Sequence, residues 1–264
     1  MTDENFTNQP DEQIPETVGD NEPLGKFEAA TGVLTEPSDT FGKIASVKPS
    51  IYWAVPIIIF IIANLIASFL FISDIDLFNS VMDKQKKNME ERFDKSVKEG
   101  KMTQEQKSIA MESAEKFMNP KSPFAIGMAV GGSVVGPFFI MVLMSVIYLL
   151  ALKVLKGDIN FTNILNVVGL SFIIGSIGKI LDTVLSIIMG SVNNFSLGLV
   201  LSEASIGSLA HGLIMRIDVF SIWSLIIISI GLIKVGKLKS NTIYFIVFGI
   251  WLVWVAIASF LLPS

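Results

Sequence analysis

The sequence predicts an all-α polytopic membrane protein with five transmembrane helices and an exterior helical hairpin between spans one and two. The first observation is composition, since 51% of the 264 residues are hydrophobic, 17% are charged and the mean hydropathy is +0.61. The second is arrangement, because the apolar residues stand in long blocks. The third is length, since several blocks reach the roughly 20 residues that a helix needs to cross a hydrocarbon core of about 30 Å.

The five predicted spans follow from this test of length. The first, second and fifth contain no charged residue, and the third contains only Lys179 and Asp182. The fourth is the shortest and needs its flanks, over residues 218–235, to cross. The predicted bounds are residues 51–72, 124–152, 167–189, 219–233 and 243–262. Together with the loops between them, these spans make residues 51–264 a single membrane domain.

The residues before the first span divide into two segments. Residues 1–48 contain ten acidic and three basic residues with scattered prolines, a composition that cannot bury enough apolar surface to fold. We therefore expect residues 1–35 to form a disordered, acidic, cytoplasmic tail. Residues 36–50 place Phe41, Ile44 and Val47 on one side, which predicts an interfacial amphipathic segment on the inner membrane surface.

The long loop between spans one and two, residues 74–123, predicts a pair of helices. It carries ten basic and ten acidic residues, with an apolar stripe at four-residue spacing that consists of Met89, Phe93 and Val97. Thr103 and Gln106 have the spacing of a capping box, which predicts the start of a second helix. An exterior hairpin that packs on itself or on a neighbouring subunit is the leading interpretation, and a surface for docking a partner is the alternative.

Lysines predict the orientation of the five spans. They precede span one, separate spans two and three, and separate spans four and five, whereas the loop between spans three and four has only Arg216. Basic loops stay in the cytoplasm, so the N-terminus is predicted to be cytoplasmic and the C-terminus outside. The charge-balanced loop 74–123 is an exception that the rule tolerates, because long loops translocate largely regardless of charge.

Two stretches resemble a known family. The stretch "VLTEPSDTFGKIASVKPSIYWAVPIII" is similar to the opening of bacterial members of the Yip-one (Yip1) domain family, the Ypt/Rab-interacting proteins. A later stretch, "IDVFSIWSLIIISIGL", resembles the fourth-span signature of that family. The matching positions are Pro37, Phe41, Pro49, Trp53 and Pro56 in the first stretch and Asp218, Phe220 and Trp223 in the second.

The resemblance implies a topology and a location more than an activity. It implies five spans with an inside N-terminus, and a place in the bacterial inner membrane. Eukaryotic relatives bind prenylated Rab-type GTPases and act in vesicle traffic. Their Asp-Leu-Tyr-Gly-Pro-like cytoplasmic motif is missing from the tail of this sequence, so the resemblance does not carry GTPase binding over.

Lys179 and Asp182 form the candidate intramembrane polar pair. They are three residues apart on one helix, so each can neutralise the other. A span that begins at Asn160 puts Lys179 about 28 Å along the helix, where it reaches the outer interface. A span that begins near Val167 puts the pair close to the middle of the membrane. The pair is then structural, interfacial, or part of a path for a solute or a proton, in that order of preference.

Glycines with four-residue spacing predict close helix packing on the second span. Gly127 pairs with Gly131, and Gly132 pairs with Gly136, a spacing that lets two helix backbones approach in lipid. Packing within the chain is the leading interpretation, and contact between copies in a homo-oligomer is the alternative. The third span has a comparable pair of glycines, Gly175 and Gly178, which also predicts close helix packing.

The sequence offers no catalytic, metal or cofactor site. It has no cysteine and a single histidine, His211, and it lacks a phosphate-binding loop or a hydrolase elbow. Asp218 is predicted to cap the fourth span rather than to react. The expected partners are the lipid bilayer and either other proteins or a second copy of the chain, and no nucleic acid is expected.

The sequence therefore predicts a non-catalytic membrane protein that organises the membrane or partner proteins. The alternative is a small transporter or channel with Lys179 and Asp182 in its pathway. A third class, a lipid-handling protein, would hold lipid between the spans.

Overall fold

The computed structural model describes residues 23–48, 50–119, 122–157, 159–199 and 208–261. Within these residues the regular structure is helical, apart from one isolated bridge between Ser196 and Asp218. The helices are α1 (Lys26–Thr35), α2 (Pro37–Ser46), α3 (Ala54–Ser73), α4 (Ile75–Lys98), α5 (Gln104–Met118), α6 (Pro123–Val154), α7 (Phe161–Met189), α8 (Ser208–Met215), α9 (Val219–Gly236) and α10 (Ser240–Leu261), with a short 3₁₀ turn at Leu197–Leu199.

Five of these helices are long and apolar enough to cross a membrane, which confirms the predicted number of spans. They are α3, α6, α7, α9 and α10. The third span begins at Phe161, earlier than the predicted residue 167, because the side chain of Asn160 accepts a hydrogen bond from the backbone N–H of Thr162 at 2.8 Å. Its 29 residues extend for about 43 Å, more than the hydrocarbon core requires.

Helix α7 lies at the centre of the bundle. It packs against α3, α6 and α9, and also against α1 and α2. In its most apolar 18 residues 67% are buried, compared with 22% for α3 and 28% for α10. Spans α3, α6 and α9 therefore surround α7, whereas α10 packs on α9 and α8 at the outside of the bundle.

The end of the N-terminal segment differs from the predicted disordered tail. Residues Lys26–Thr35 form helix α1, in which Ala29, Ala30 and Val33 are buried in the bundle. The composition of the tail predicted disorder because the charged residues outnumber these three small apolar ones. Contact with the bundle supplies the burial that the segment lacks by itself. Residues 1–22 lie outside the described residues, and their predicted disorder stays a prediction.

The amphipathic segment forms helix α2, and its apolar side packs on protein. Pro37 is its first residue, and Phe41 and Ile44 are fully buried. The partner of α2 is mainly α9, where a Cβ at Gly231 would lie 3.1 Å from Phe41 Cε2. The apolar face that was predicted to rest on lipid is thus covered by the bundle, and the interfacial position of α2 stays a prediction.

The loop between spans one and two contains the two expected helices, α4 and α5. Asp74 alone separates α3 from α4, and its carboxylate accepts a hydrogen bond from the backbone N–H of Leu77 at 2.9 Å. The predicted capping box starts α5, since Gln106 N–H donates to Thr103 Oγ1 at 3.1 Å and Thr103 N–H donates to Gln106 Oε1 at 2.9 Å. We call α4 and α5 together the hairpin, and its exterior location stays a prediction.

Candidate functional site

The predicted polar pair lines a large cavity at the hairpin end of the bundle. The cavity has a volume of about 1340 Å³, above the usual range for sites that bind small molecules. The ends of the first and third spans, the start of the second span and the hairpin all contribute to it. The main lining segments are residues 65–72 of α3, 78–92 of α4, 126–133 of α6, 179–186 of α7 and the loop residues 192–194.

One wall of the cavity is polar and is built by α7 with the loop that follows it. Asp182 Oδ1 accepts a hydrogen bond from the backbone N–H of Phe195 at 3.2 Å. The Ser186 hydroxyl accepts from the backbone N–H of Asn193 at 3.0 Å and lies 2.7 Å from the carbonyl oxygen of Asp182. These bonds hold residues 193–195 against the last turns of α7, so the polar wall is fixed by main-chain contacts.

Lys179 and Asp182 do not form a direct ion pair in the described structure, although the charge of Lys179 still acts on the carboxylate of Asp182. Among the described residues no ion pair includes Lys179. Lys179 is exposed and Asp182 is half-buried, and the carboxylate of Asp182 turns to the backbone of Phe195. Because α7 starts at Phe161, Lys179 lies about 27 Å along its length of about 43 Å, a little past the midpoint. Because α7 is longer than the hydrocarbon core, its start does not fix the depth of the pair, and both the interfacial and the mid-membrane alternatives stay predictions.

Most of the remaining lining is apolar. On α3 it includes Leu65, Phe69 and Ile72, which are exposed, and on α6 it includes Ile126 and Val130. From the hairpin, α4 adds three apolar side chains, Phe78, Met82 and Met89. Arg92, further along α4, brings a second cation to the lining. The cavity is therefore amphipathic, with its apolar lining on α3, α6 and the near part of α4.

The glycines of the second span do not pack within the chain. No described atom lies within 4 Å of a Cβ built at Gly127, Gly131, Gly132 or Gly136. This finding corrects the leading interpretation, intrachain packing, because this face of α6 has no neighbouring helix in the described structure. Contact with a second copy of the chain stays a prediction.

On the third span, the glycines do mark close helix contacts. A Cβ at Gly175 would lie 3.0 Å from Phe60 Cε2, and one at Gly178 would lie 2.9 Å from Phe220 Cβ. At Gly169 a Cβ would collide with Trp53. Glycine at these positions lets α3 and α9 approach the backbone of α7.

The family-signature positions divide between the two ends of the bundle. At the hairpin end, Asp218 caps α9 by accepting from Ser221 N–H at 2.9 Å, as predicted, and Phe220 packs edge-on against Phe195 with ring centroids 5.8 Å apart. Trp223 packs against the core from the same helix. Pro37, Phe41 and Trp53 lie at the opposite end, and Pro49 lies outside the described residues. The structure does not bring the two sets into one site.

Asn166 is a structural site that the sequence analysis missed. Its side chain is fully buried on α7, and its Oδ1 accepts from the backbone N–H groups of Tyr52 and Trp53 at 3.0 and 3.2 Å. Its Nδ2 donates to the carbonyl oxygen of Ser50 at 2.8 Å. The available signal was an asparagine inside an apolar helical block, since such a residue needs an internal partner in lipid.

Groups that could hold a metal are absent from the described part of the chain. No cluster of three or more His, Cys, Asp or Glu side chains occurs there. The side chain of His211 lies outside the described residues, so its predicted lack of a metal role stays a prediction.

Comparison with known proteins identifies the family. The family model of the Yip1 domain matches residues 31–262, nearly the whole chain. Searches of curated proteins and of solved structures each found no match. The matched range includes all five spans, the hairpin and both signature stretches, and the chain therefore belongs to the Yip1 domain family.

Proposed function

We propose that this membrane protein is non-catalytic and organises partner proteins, with the hairpin as its docking arm. In this proposal the membrane is the bacterial inner membrane, the N-terminus is cytoplasmic, and the C-terminus and the hairpin are outside. The distribution of lysines around the spans supports this orientation. The observation that carries the proposal is the construction of the hairpin, a charged helix pair that is attached directly to the first span.

The hairpin has the properties of a stiff arm. A single residue, Asp74, separates α3 from α4. Because the connection is so short, a movement of one helix is transmitted directly to the other. Between the two helices, Lys86 Nζ lies 2.6 Å from Glu115 Oε1 and Lys107 Nζ lies 2.5 Å from Asp94 Oδ1. In α4 Leu77 is the one buried residue, so most of the hairpin surface is open to contact by another molecule.

Site-specific crosslinking tests this proposal. A photoreactive amino acid at Glu91, which is exposed on α4, should give a discrete adduct with another membrane or exterior protein in intact cells. The matched control carries the same group at Phe245, an exposed residue of α10. Adducts of one defined mass from Glu91 alone support docking. Identical adduct patterns from both positions, or none from Glu91, contradict it, and an adduct of twice the chain mass indicates a second copy.

A small transporter or channel is the second candidate, and the cavity favours it. Lys179 and Asp182 both line this space, and charged residues inside the membrane often mark a solute path. Under this proposal, Lys179→Ala or Asp182→Ala changes solute flux in vesicles while the folded yield stays normal. A drop in folded yield without a change in flux per folded molecule supports the organising function instead.

A further inference from the structure

The amphipathic cavity has the chemistry of a lipid site. Its apolar lining faces a polar wall, as a ligand with a hydrocarbon chain and a polar head group requires. Its apolar side continues onto surface that is open to the bilayer, since Phe69 is 71% exposed and Ile126 is 51% exposed. A hydrocarbon chain can therefore enter from the side without leaving an apolar environment.

The charges of the lining favour an anionic head group. Lys179 and Arg92 each line the cavity, and within the described residues neither forms an ion pair with a carboxylate. Among the described residues of the lining Asp182 is the one carboxylate, and its Oδ1 already accepts from the backbone N–H of Phe195. The described lining therefore carries two cations and one anion, a net positive charge, and guanidinium and ammonium groups are suited to phosphate.

We infer that the cavity binds one anionic phospholipid, with its phosphate between Lys179 and Arg92 and its chains along α3 and α6. The lipid is a specific ligand in this arrangement, because two cations that line one cavity favour an anionic head group over a zwitterionic one. Asn88 and Gln85 of α4 and Asn193 of the loop line the same region and supply further polar contacts for the head group. The inference does not depend on partner docking by the hairpin.

The phospholipid also explains the position of Arg92. Arg92 belongs to the hairpin and Lys179 to the third span, and a phosphate in contact with both would neutralise the two like charges. Binding then links α4 to α7 through the head group.

Lipid retention by the full-length protein tests the inference. The protein is reconstituted in equal amounts of phosphatidylglycerol and phosphatidylcholine with identical acyl chains, extracted in mild detergent, and analysed by native mass spectrometry. We expect about tenfold preferential retention of phosphatidylglycerol, the ratio that one charge-assisted contact typically supplies. Equal retention of the two lipids would mean that ordinary bilayer lipid fills the space, and the inference would be wrong.

Charge variants locate the site. Arg92→Gln with Lys179→Gln should abolish the preference, whereas Arg92→Lys with Lys179→Arg should keep it. Lys153→Gln with Lys234→Gln removes two cations at the opposite end of the bundle and is the matched control. An equal loss of preference in the control and the cavity variant would show that general surface charge is responsible.

A steric variant tests the cavity without changing charge. Ser133 lines the cavity on α6, and Ser133→Trp should lower retention of phosphatidylglycerol about tenfold. Val146→Trp places the same side chain at an exposed position of the same helix and should leave retention unchanged. Normal retention in Ser133→Trp would contradict binding in this space. If a variant fails to fold, the comparison of the two lipids in the unaltered protein still decides the question.

Discussion

The side-chain amide of Asn166 donates a hydrogen bond to the carbonyl oxygen of Ser50, at 2.8 Å and across 116 positions of the chain. The same side chain accepts from two backbone N–H groups at the start of α3. The first turn of a helix has N–H groups without an intrahelical partner, and α3 shows no cap from a side chain of its own. Asn166, on the third span, therefore supplies hydrogen-bond partners for backbone groups at the start of the first span.

Replacing Asn166 by Leu should destabilise the bundle. The change leaves two N–H groups and one carbonyl oxygen without partners in a buried place, which we expect to cost about 3 kcal/mol. Unfolding in detergent with increasing SDS measures the loss. Asn163→Leu is the control, because Asn163 Oδ1 is buried and has no hydrogen-bond partner among the described residues. An equal loss in both variants would contradict a specific role for Asn166.

The glycines of the second and third spans should respond differently to the same substitution. Gly178→Ala brings a methyl group to 2.8 Å from Phe220 Cγ and should cost about 1–3 kcal/mol through overpacking. Gly132→Ala meets no described atom within 4 Å and should keep or slightly raise the stability of the monomer, because alanine is favoured over glycine in a helix. Thermal unfolding in detergent compares the two. A loss of the same size in Gly132→Ala would indicate that α6 packs against a neighbour, and crosslinking would then show whether this neighbour is a second copy.

Lys107 should contribute more to the hairpin than an ordinary surface lysine. Its side chain is 17% exposed, and its Nζ lies 2.5 Å from Asp94 Oδ1 and 3.9 Å from Glu90 Oε1. Lys107→Met should weaken the α4–α5 contact by about 1 kcal/mol and raise hydrogen exchange in both helices. Lys116→Met, whose ion pair with Glu112 is highly exposed, should change exchange only slightly. Equal exchange in the two variants would contradict the prediction.

Tyr52 should make stability fall at alkaline pH. Its burial, and to a smaller extent the negative charge of Glu28, raise the pKa of the phenol above its ordinary value of 10.0. The neutral phenol is thus favoured in the folded state. The contribution of Tyr52 to the free energy of unfolding is fully present below the ordinary pKa of tyrosine, and it is lost as the pH rises through the raised pKa of the folded state.

The test compares the parent with Tyr52→Phe, which cannot ionise. Thermal unfolding of the parent should decline more steeply above pH 10.0 than that of the variant. Glu28→Gln should show an intermediate decline, because it removes the smaller cause. Parallel curves for the parent and Tyr52→Phe would show that this phenol does not titrate in the folded protein.

The spans and caps were predictable because they depend on local properties of the chain. Hydrophobic length gave the five spans, and the spacing of Thr103 and Gln106 gave the start of α5. Asp218 was likewise predictable as a cap, because a carboxylate before an apolar helix has free N–H groups within reach.

Contacts between distant segments were not predictable from the same signals. Helix α1 is buried by contact with spans that lie far along the chain. Local composition does not reveal these contacts, and the charged residues of the segment therefore predicted disorder. Glycine spacing predicted close contact for both α6 and α7, yet the glycines of α6 meet no described atom within 4 Å, whereas those of α7 face side chains of α3 and α9. Lys179 and Asp182 have the spacing of an ion pair, but a loop that follows α7 offers Asp182 a backbone N–H instead.

The central position of α7 has a consequence for how the chain enters the membrane. This helix is the least apolar of the five spans, yet it is the most enclosed by protein. When α7 leaves the ribosome, the start of α3 is already available for hydrogen bonds with Asn166, whereas α9 has not been synthesised. The translocon therefore either retains α7 until α9 emerges or releases it beside the first span. A chain that stops before α9 should be a substrate for membrane quality control.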